Sequence, residues 1–194
     1  MASRYDDELW ELVPDFGGRL PPHLVAFVHS LGSAERALDL GCGDGRLGGE
    51  LDARKLIAAD TSAVALERAR DRLERRDTDF VELEPDAPLP LEDSQFDLVL
   101  CAETLEHVRD VQLFLSEVRR VLRPGGTFAV TTPAHNRVTG LGILIRGFER
   151  RFDPLSPHIR FFTRRSLVRL LGEMGFDVRS IRREKGTLLA MARR

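Results

Sequence analysis

The chain has 194 residues, of which 42% are hydrophobic and 31% charged, with a net charge of -2 and only two cysteines, Cys42 and Cys101. This is the make-up of one soluble globular domain with enough chain to bury most of its apolar surface. It excludes a disulfide framework, non-specific nucleic-acid binding as the main activity, and any membrane span of ~20 apolar residues.

Residues 5–31 predict two helices around the break Pro14-Asp15-Phe16-Gly17-Gly18, with Leu24, Phe27, Val28 and Leu31 at helical spacing in the second. Residues 1–10 are acidic and lack an apolar centre, so no signal peptide is expected and the setting reads as a reducing cytoplasm. Residues 36–40 predict the first strand, and a helix is expected to start within 45–51. Residues 56–59 predict a second strand. Residues 62–75 predict a helix with Val64, Leu66, Ala69 and Leu73 inside and Thr61 or Ser62 as its cap. Residues 80–83 predict a third strand. The apolar run 96–101 predicts a fourth, buried on both faces. Residues 111–121 predict a helix stopped by Pro124-Gly125-Gly126, and residues 127–132 a fifth strand. Residues 166–174 predict a helix ended by Gly175, and residues 177–181 and 188–192 the last two strands. Alternating strands and helices imply a mainly parallel sheet covered on both faces. The chain is expected to form one domain over 1–194. It would carry a helical cap at 1–33 and an insert or lid at 134–163, a connection long enough to suggest function.

The run Ala37-Leu38-Asp39-Leu40-Gly41-Cys42-Gly43-Asp44-Gly45-Arg46-Leu47 carries the most information. An apolar strand ends in a carboxylate and breaks into a loop with three alternate glycines, which lets a ligand lie against bare main chain. Asp60 follows nineteen residues after Gly41, where an acid suits a ribose diol. Asp39 and Asp44 would repel a pyrophosphate and attract a ligand with a cationic amino-acid end. S-adenosylmethionine has that shape. A nicotinamide-dependent dehydrogenase is the rival reading, but the sixth position of its glycine pattern is Arg46 here.

Several separated motifs together resemble the class I S-adenosylmethionine-dependent methyltransferases, in the small-molecule branch that includes ubiquinone and menaquinone methyltransferases. They are Asp39 to Gly45, Asp60, the run Leu89-Pro90-Leu91-Glu92-Asp93-Ser94-Gln95-Phe96-Asp97-Leu98-Val99, then Glu103-Thr104-Leu105-Glu106-His107-Val108, and Val121-Leu122-Arg123-Pro124-Gly125-Gly126. Phe161-Phe162-Thr163-Arg164-Arg165-Ser166-Leu167 and residues 171–176 complete the pattern. The resemblance covers the chain from about Ala34 onward. It implies a Rossmann-like three-layer αβα sandwich with a seven-stranded sheet in the order 3-2-1-4-5-7-6, strand 7 antiparallel. It also implies methyl transfer to a small-molecule acceptor, most readily at oxygen: a sugar, quinone, polyketide or lipid-like compound. S-adenosylhomocysteine is then the by-product. A cofactor-binding but catalytically silent partner subunit is the alternative within the same fold.

The resemblance assigns the cofactor to Asp39, Gly41, Cys42, Gly43, Asp60, Thr61, Ser62, Asp86, Ala87, Cys101, Ala102 and Glu103. Asp86 is preferred to Glu84 for the adenine amine. A helix starting near Gly45 is expected to point its positive end at the site. His107 is the first candidate base for an acceptor hydroxyl, with His158 and His135 as rivals and His23 and His29 behind them. Nucleic acid is not an expected partner, because the fourth strand lacks the Asn/Asp-Pro-Pro-aromatic motif of base-amino methyltransferases and reads Cys101-Ala102-Glu103-Thr104. The cysteines have no neighbours at metal-ligand spacing, so no metal is expected. The apolar and arginine-bearing run 140–152, with Arg146, Arg150 and Arg151, reads as a lid, a transient membrane-surface contact or an anion site.

Overall fold

The structure is a computed structural model that describes residues 7–8, 10–12, 19–74, 77–135 and 158–194. Its strands are β1 (Ala34–Leu40), β2 (Ala53–Asp60), β3 (Thr78–Glu82), β4 (Phe96–Ala102), β5 (Leu122–Pro133), β6 (Asp177–Glu184) and β7 (Thr187–Arg193). Its helices are α1 (Pro22–His29), α2 (Ala63–Leu73), α3 (Val111–Val121) and α4 (Arg164–Glu173). The strands form one sheet in the order β3-β2-β1-β4-β5-β7-β6, as the resemblance implied. β1, β2, β3, β4 and β5 are mutually parallel, and β7 runs antiparallel to β5 and β6.

Two-residue alternation splits the sheet's side chains between two cores. Leu38, Leu40, Val99 and Val130 pack with α3 and α4 through Leu115, Val118, Leu167 and Leu171. Ala37, Leu56, Leu98 and Leu100 face the other way and pack with α1 and α2 through Phe27, Val28, Leu66 and Leu73. Burying each such Leu or Phe contributes roughly 1.5–3 kcal/mol. The result is a Rossmann-like three-layer sandwich. Its parallel strands end together on one side, where open sheets of this kind hold ligands.

Long-range bonds fix the ends of the elements. The Asp97 carboxylate accepts from the Glu35 and Arg36 amides at 2.7 and 3.1 Å, and β1 starts at Ala34, two residues before the predicted start. Ser62 caps α2 by accepting from the Ala65 amide, and Asp110 caps α3 by accepting from the Gln112 and Leu113 amides. Each such cap contributes about 1 kcal/mol. Arg120 of α3 donates to the Leu89 and Leu91 carbonyls and pairs with Asp93 and Glu117. That arginine ties the loop before β4 to the helix behind it. Lys185 and Gly186, both at positive φ, form the two-residue turn between β6 and β7.

Two expectations are corrected. Residues 45–51 do not begin a helix; only one 3-10 turn forms, Gly48–Glu50. Glycines at 45, 48 and 49 each cost about 1 kcal/mol in a helix relative to alanine. No helix dipole is therefore aimed at the site from this segment. Nor does the fifth strand wait for residue 127: α3 ends at Val121 as expected, β5 starts directly at Leu122, which pairs with Phe96, and the register slips before Thr127 meets Leu98. The break at 14–18 and most of the insert, residues 136–157, lie outside the described residues. Among the described residues, no helix is long and apolar enough to cross a membrane.

Candidate active site

At the carboxyl ends of β1, β2 and β4 a cavity of about 830 Å3 opens. Its wall is built from residues 39–44, Asp60 and Thr61, residues 83–87, and the turn after β4. Asp39 is 2% exposed, and its Oδ2 has no hydrogen-bond partner among the described residues. Burial, then Asp60, then Asp44 push its pKa up to about 7, and the Gly48 amide only partly offsets them. A buried carboxyl raised by other carboxylates lacks a cation. Asp44 does not share that need, because Arg46 at 2.9 Å and Arg72 at 3.4 Å neutralise it.

Asp60 holds the loop closed. Its Oδ2 accepts from the Gly43 amide at 2.8 Å and its Oδ1 from the Ser62 amide at 3.0 Å. Gly41 has φ +75°, and a Cβ there would come within 2.3 Å of Thr104, whose hydroxyl donates to the Gly41 carbonyl. The Trp10 ring stands 2.7 Å from where a Gly43 Cβ would be. The glycines therefore make room for protein side chains, and only their main chain is left to line the cavity.

The turn after β4 is polar. Glu103 has φ +52°; its amide donates to the Thr131 carbonyl at 3.0 Å, and its carboxylate accepts from the Thr131 hydroxyl at 2.7 Å. Burial holds its pKa up. Glu106 is 2% exposed and accepts from the Thr132 hydroxyl at 3.0 Å, and burial raises its pKa to about 7. His107 lines the cavity, and its ring meets that of His158 edge-on at 4.7 Å between centroids. The Ile159 and Arg160 amides both donate to the Glu106 carbonyl at 3.0 Å, which brings His158 to this turn.

The comparisons agree with this geometry. A family model described as a methyltransferase domain matches residues 38–130. A Mycolicibacterium smegmatis protein named "Probable S-adenosylmethionine-dependent methyltransferase" is 38% identical over 145 residues, covering 73% of this chain and 51% of that protein. The ubiquinone biosynthesis O-methyltransferase of Chelativorans sp. is 34% identical over 122 residues, 59% of this chain and 46% of that one. The solved S-adenosylmethionine-dependent methyltransferase of Mesorhizobium loti shares the fold with a TM-score of 0.68 at 22% identity, over 89% of this chain and 96% of that one. The chain belongs to the class I S-adenosylmethionine-dependent methyltransferases. It spans about half the length of the curated relatives it matches.

S-adenosylmethionine is the cofactor of this family, and the residues of this chain fit it. Asp39, with its unpartnered oxygen, suits the ligand's cationic end. Among the residues assigned to the cofactor from sequence, Asp39, Gly41, Cys42, Gly43, Asp60, Thr61, Asp86, Ala87, Ala102 and Glu103 line the cavity. Ser62 does not: it is 0% exposed, and its hydroxyl caps α2 and donates to Asp7 at 2.6 Å. Cys101 does not either, because it is 0% exposed inside the α3/α4 core. Burial pushes both cysteine thiols up, so neither serves as a nucleophile. Glu84 lines the cavity beside Asp86, and the Asp86 carboxylate is engaged by Arg109 at 3.5 Å.

Of the three candidate histidines, the structure joins His107 and His158. It sets His135 against Phe161 at 4.9 Å, outside the cavity wall. His29 pairs with Glu50 on the surface. His23 has more standing than its sequence position implied, since its charge acts on Glu103 and its Nε2 is buried with no partner among the described residues. Trp10, which lines the cavity, and Gly48, which lies against Asp39, are site positions that sequence reasoning did not single out. A Cβ on Gly48 would lie 2.3 Å from Asp39 Oδ2. Gly48→Ala is expected to displace that carboxylate, weaken S-adenosylhomocysteine binding tenfold or more, and cost about 1–3 kcal/mol of stability as overpacking does. Calorimetric titration and thermal melting of the variant check both effects.

Proposed function

We propose that this chain transfers the methyl group of S-adenosylmethionine to a small-molecule acceptor, at an oxygen atom. The observation that carries the reading is the buried Asp39 carboxylate, whose Oδ2 has no partner among the described residues, in the same cavity that His107 lines. The cofactor, when bound, supplies a methyl group already activated on a sulfonium centre. The chain's own task is then to bind, align and manage one proton. Asp39 balances the positive charge of the amino-acid end. Asp60, which accepts from the Gly43 and Ser62 amides and lines the cavity, is assigned to the ribose hydroxyls. Glu84 or Asp86, with the Ala87 main chain, borders the adenine.

The acceptor hydroxyl is assigned to the polar turn, where Glu103, Glu106, His107 and His158 meet. Alignment of the two reactants is worth roughly 7–11 kcal/mol. A cavity of about 830 Å3 is of a size that holds cofactor and small acceptor together, which supports a small molecule over a macromolecule. The insert over 134–163 is proposed as a lid or, through its run 140–152, as a transient contact with a membrane surface; residues 136–157 lie outside the described residues.

The test uses the full chain with methyl-labelled S-adenosylmethionine and a panel of sugars, quinols, phenols and lipid-like alcohols. Label is expected in an extractable product that appears only with an acceptor. A folded chain that binds NADH and not S-adenosylhomocysteine would overturn the reading.

A further inference from the structure

We propose that Glu106, His107 and His158 form a site for one divalent transition-metal cation, and that this ion holds the acceptor oxygen. The inference rests on the methyltransferase reading only for that second clause. One carboxylate oxygen and one nitrogen from each imidazole all lie within 4.8 Å of one another. Bonds of about 2.0–2.2 Å to a single ion place such atoms roughly 3–3.5 Å apart. Small rotations of the two histidine side chains close the difference.

His107 is exposed and His158 half-buried, whereas Glu106 is buried, and the Thr132 hydroxyl fixes its carboxylate at 3.0 Å, the kind of support that orients a ligand. Its backbone carbonyl takes both the Ile159 and Arg160 amides. Arg160 also donates its Nε to the Val108 carbonyl at 2.8 Å and a further nitrogen to the Arg109 carbonyl. The segment carrying His158 is thus stapled to the turn carrying the other two ligands. Arg160 thus holds the turn together through main-chain carbonyls, and the groups gathered at the Glu106 carboxylate are the two imidazoles.

The donor set selects the ion. Two imidazoles and one carboxylate favour zinc, manganese, iron(II), cobalt or nickel, whereas magnesium and calcium favour oxygen-only shells. Three protein ligands leave coordination positions open, and His107 sets those positions at the cavity. A hydroxyl bound there is made more acidic, as metal-bound water is. The acceptor O–H bond breaks and its proton passes to water. The oxygen's electron pair then forms the new bond to the methyl carbon, and the pair of the broken carbon–sulfur bond stays on sulfur. The acceptor class is accordingly one that presents an oxygen donor to a metal, such as a phenol, a vicinal diol or a hydroxy acid. Fifty-two positions separate Glu106 from His158, which is why no local spacing announces the site.

The experiment takes tag-free full chain, strips it with chelator, and titrates it with cobalt(II) by visible absorption and with zinc by calorimetry. Parallel titrations with S-adenosylhomocysteine report on the cofactor site. One equivalent of metal is expected at micromolar Kd or tighter. His107→Ala, His158→Ala and the near-isosteric Glu106→Gln are each expected to weaken metal at least tenfold and leave S-adenosylhomocysteine affinity within threefold. No stoichiometric metal, or metal that binds these variants as it binds wild type, overturns the site while leaving the methyltransferase reading intact. Loss of S-adenosylhomocysteine binding in the wild type would strike that reading instead.

Discussion

Replacing Asp39 with asparagine is expected to abolish cofactor binding and, at the same time, to raise the melting temperature of the ligand-free protein at pH 8. Asp39 sits at 2% exposure with its pKa pushed up to about 7, first by burial and then by Asp60 and Asp44. Unfolded, the same carboxyl titrates near 3.9. Between those values the folded chain binds more protons than the unfolded chain, so stability falls as pH rises from about 4 to about 7. Above pH 7 the buried charge carries its full cost. Asparagine keeps the shape and removes the charge, so the melting point rises by roughly 2–4 °C for each kcal/mol released.

The same charge is what a cationic ligand needs. Charge-assisted contacts contribute roughly 1.5–3 kcal/mol each. Their loss, with the ammonium left unpaired, is expected to weaken S-adenosylmethionine at least 100-fold. In the wild type the ligand pulls the Asp39 pKa back down, so binding releases a proton near neutrality. Affinity is then expected to rise with pH up to about 7 and level off above it. Calorimetry in two buffers of different ionisation enthalpy reads the released proton directly. A variant that binds like wild type, or wild-type affinity flat from pH 6 to 8, would sink the assignment.

The opposed signs of those two effects explain which parts of the chain sequence reasoning could reach. α3 was legible to the residue, because Val111, Leu115, Val118 and Val121 repeat at helical spacing between a good cap and a strand. The strand order was what the family resemblance implied. What stayed hidden depends on contacts far along the chain. β1 begins at Ala34 because Asp97 anchors the Glu35 and Arg36 amides. The helix expected at 45–51 collapses to a single turn in a segment where Asp39 crowds Gly48. Cys101 carries the right motif position yet turns into the core, and Ser62, expected both as a cap and beside the cofactor, is buried as the cap. Even the loop glycines answer to Thr104 and Trp10, which no local pattern connects to them.

The acceptor side is the sharpest case, and it sets the second large prediction. Sequence alone ranked three histidines and had no means of pairing them. The structure pairs His107 with His158 at 4.7 Å and turns His135 to Phe161. His107→Ala and His158→Ala are each expected to lower the turnover number by a factor of about 100 to 10,000, the span that a positioned proton-transfer group or a metal-bound oxygen supplies. S-adenosylhomocysteine affinity should stay within threefold, because the charge that holds the cofactor is that of Asp39, at the end of β1. His135→Ala should keep turnover within threefold, since that ring packs on Phe161 and not on the His107 ring that lines the cavity. Single-turnover assays with one accepted substrate, beside cofactor titrations, separate the chemical step from binding. Equal losses at His107 and His158 place both rings on one acceptor oxygen; a loss at His107 alone removes His158 from the reaction, and a loss at His135 of the same size would break the pairing that the geometry sets.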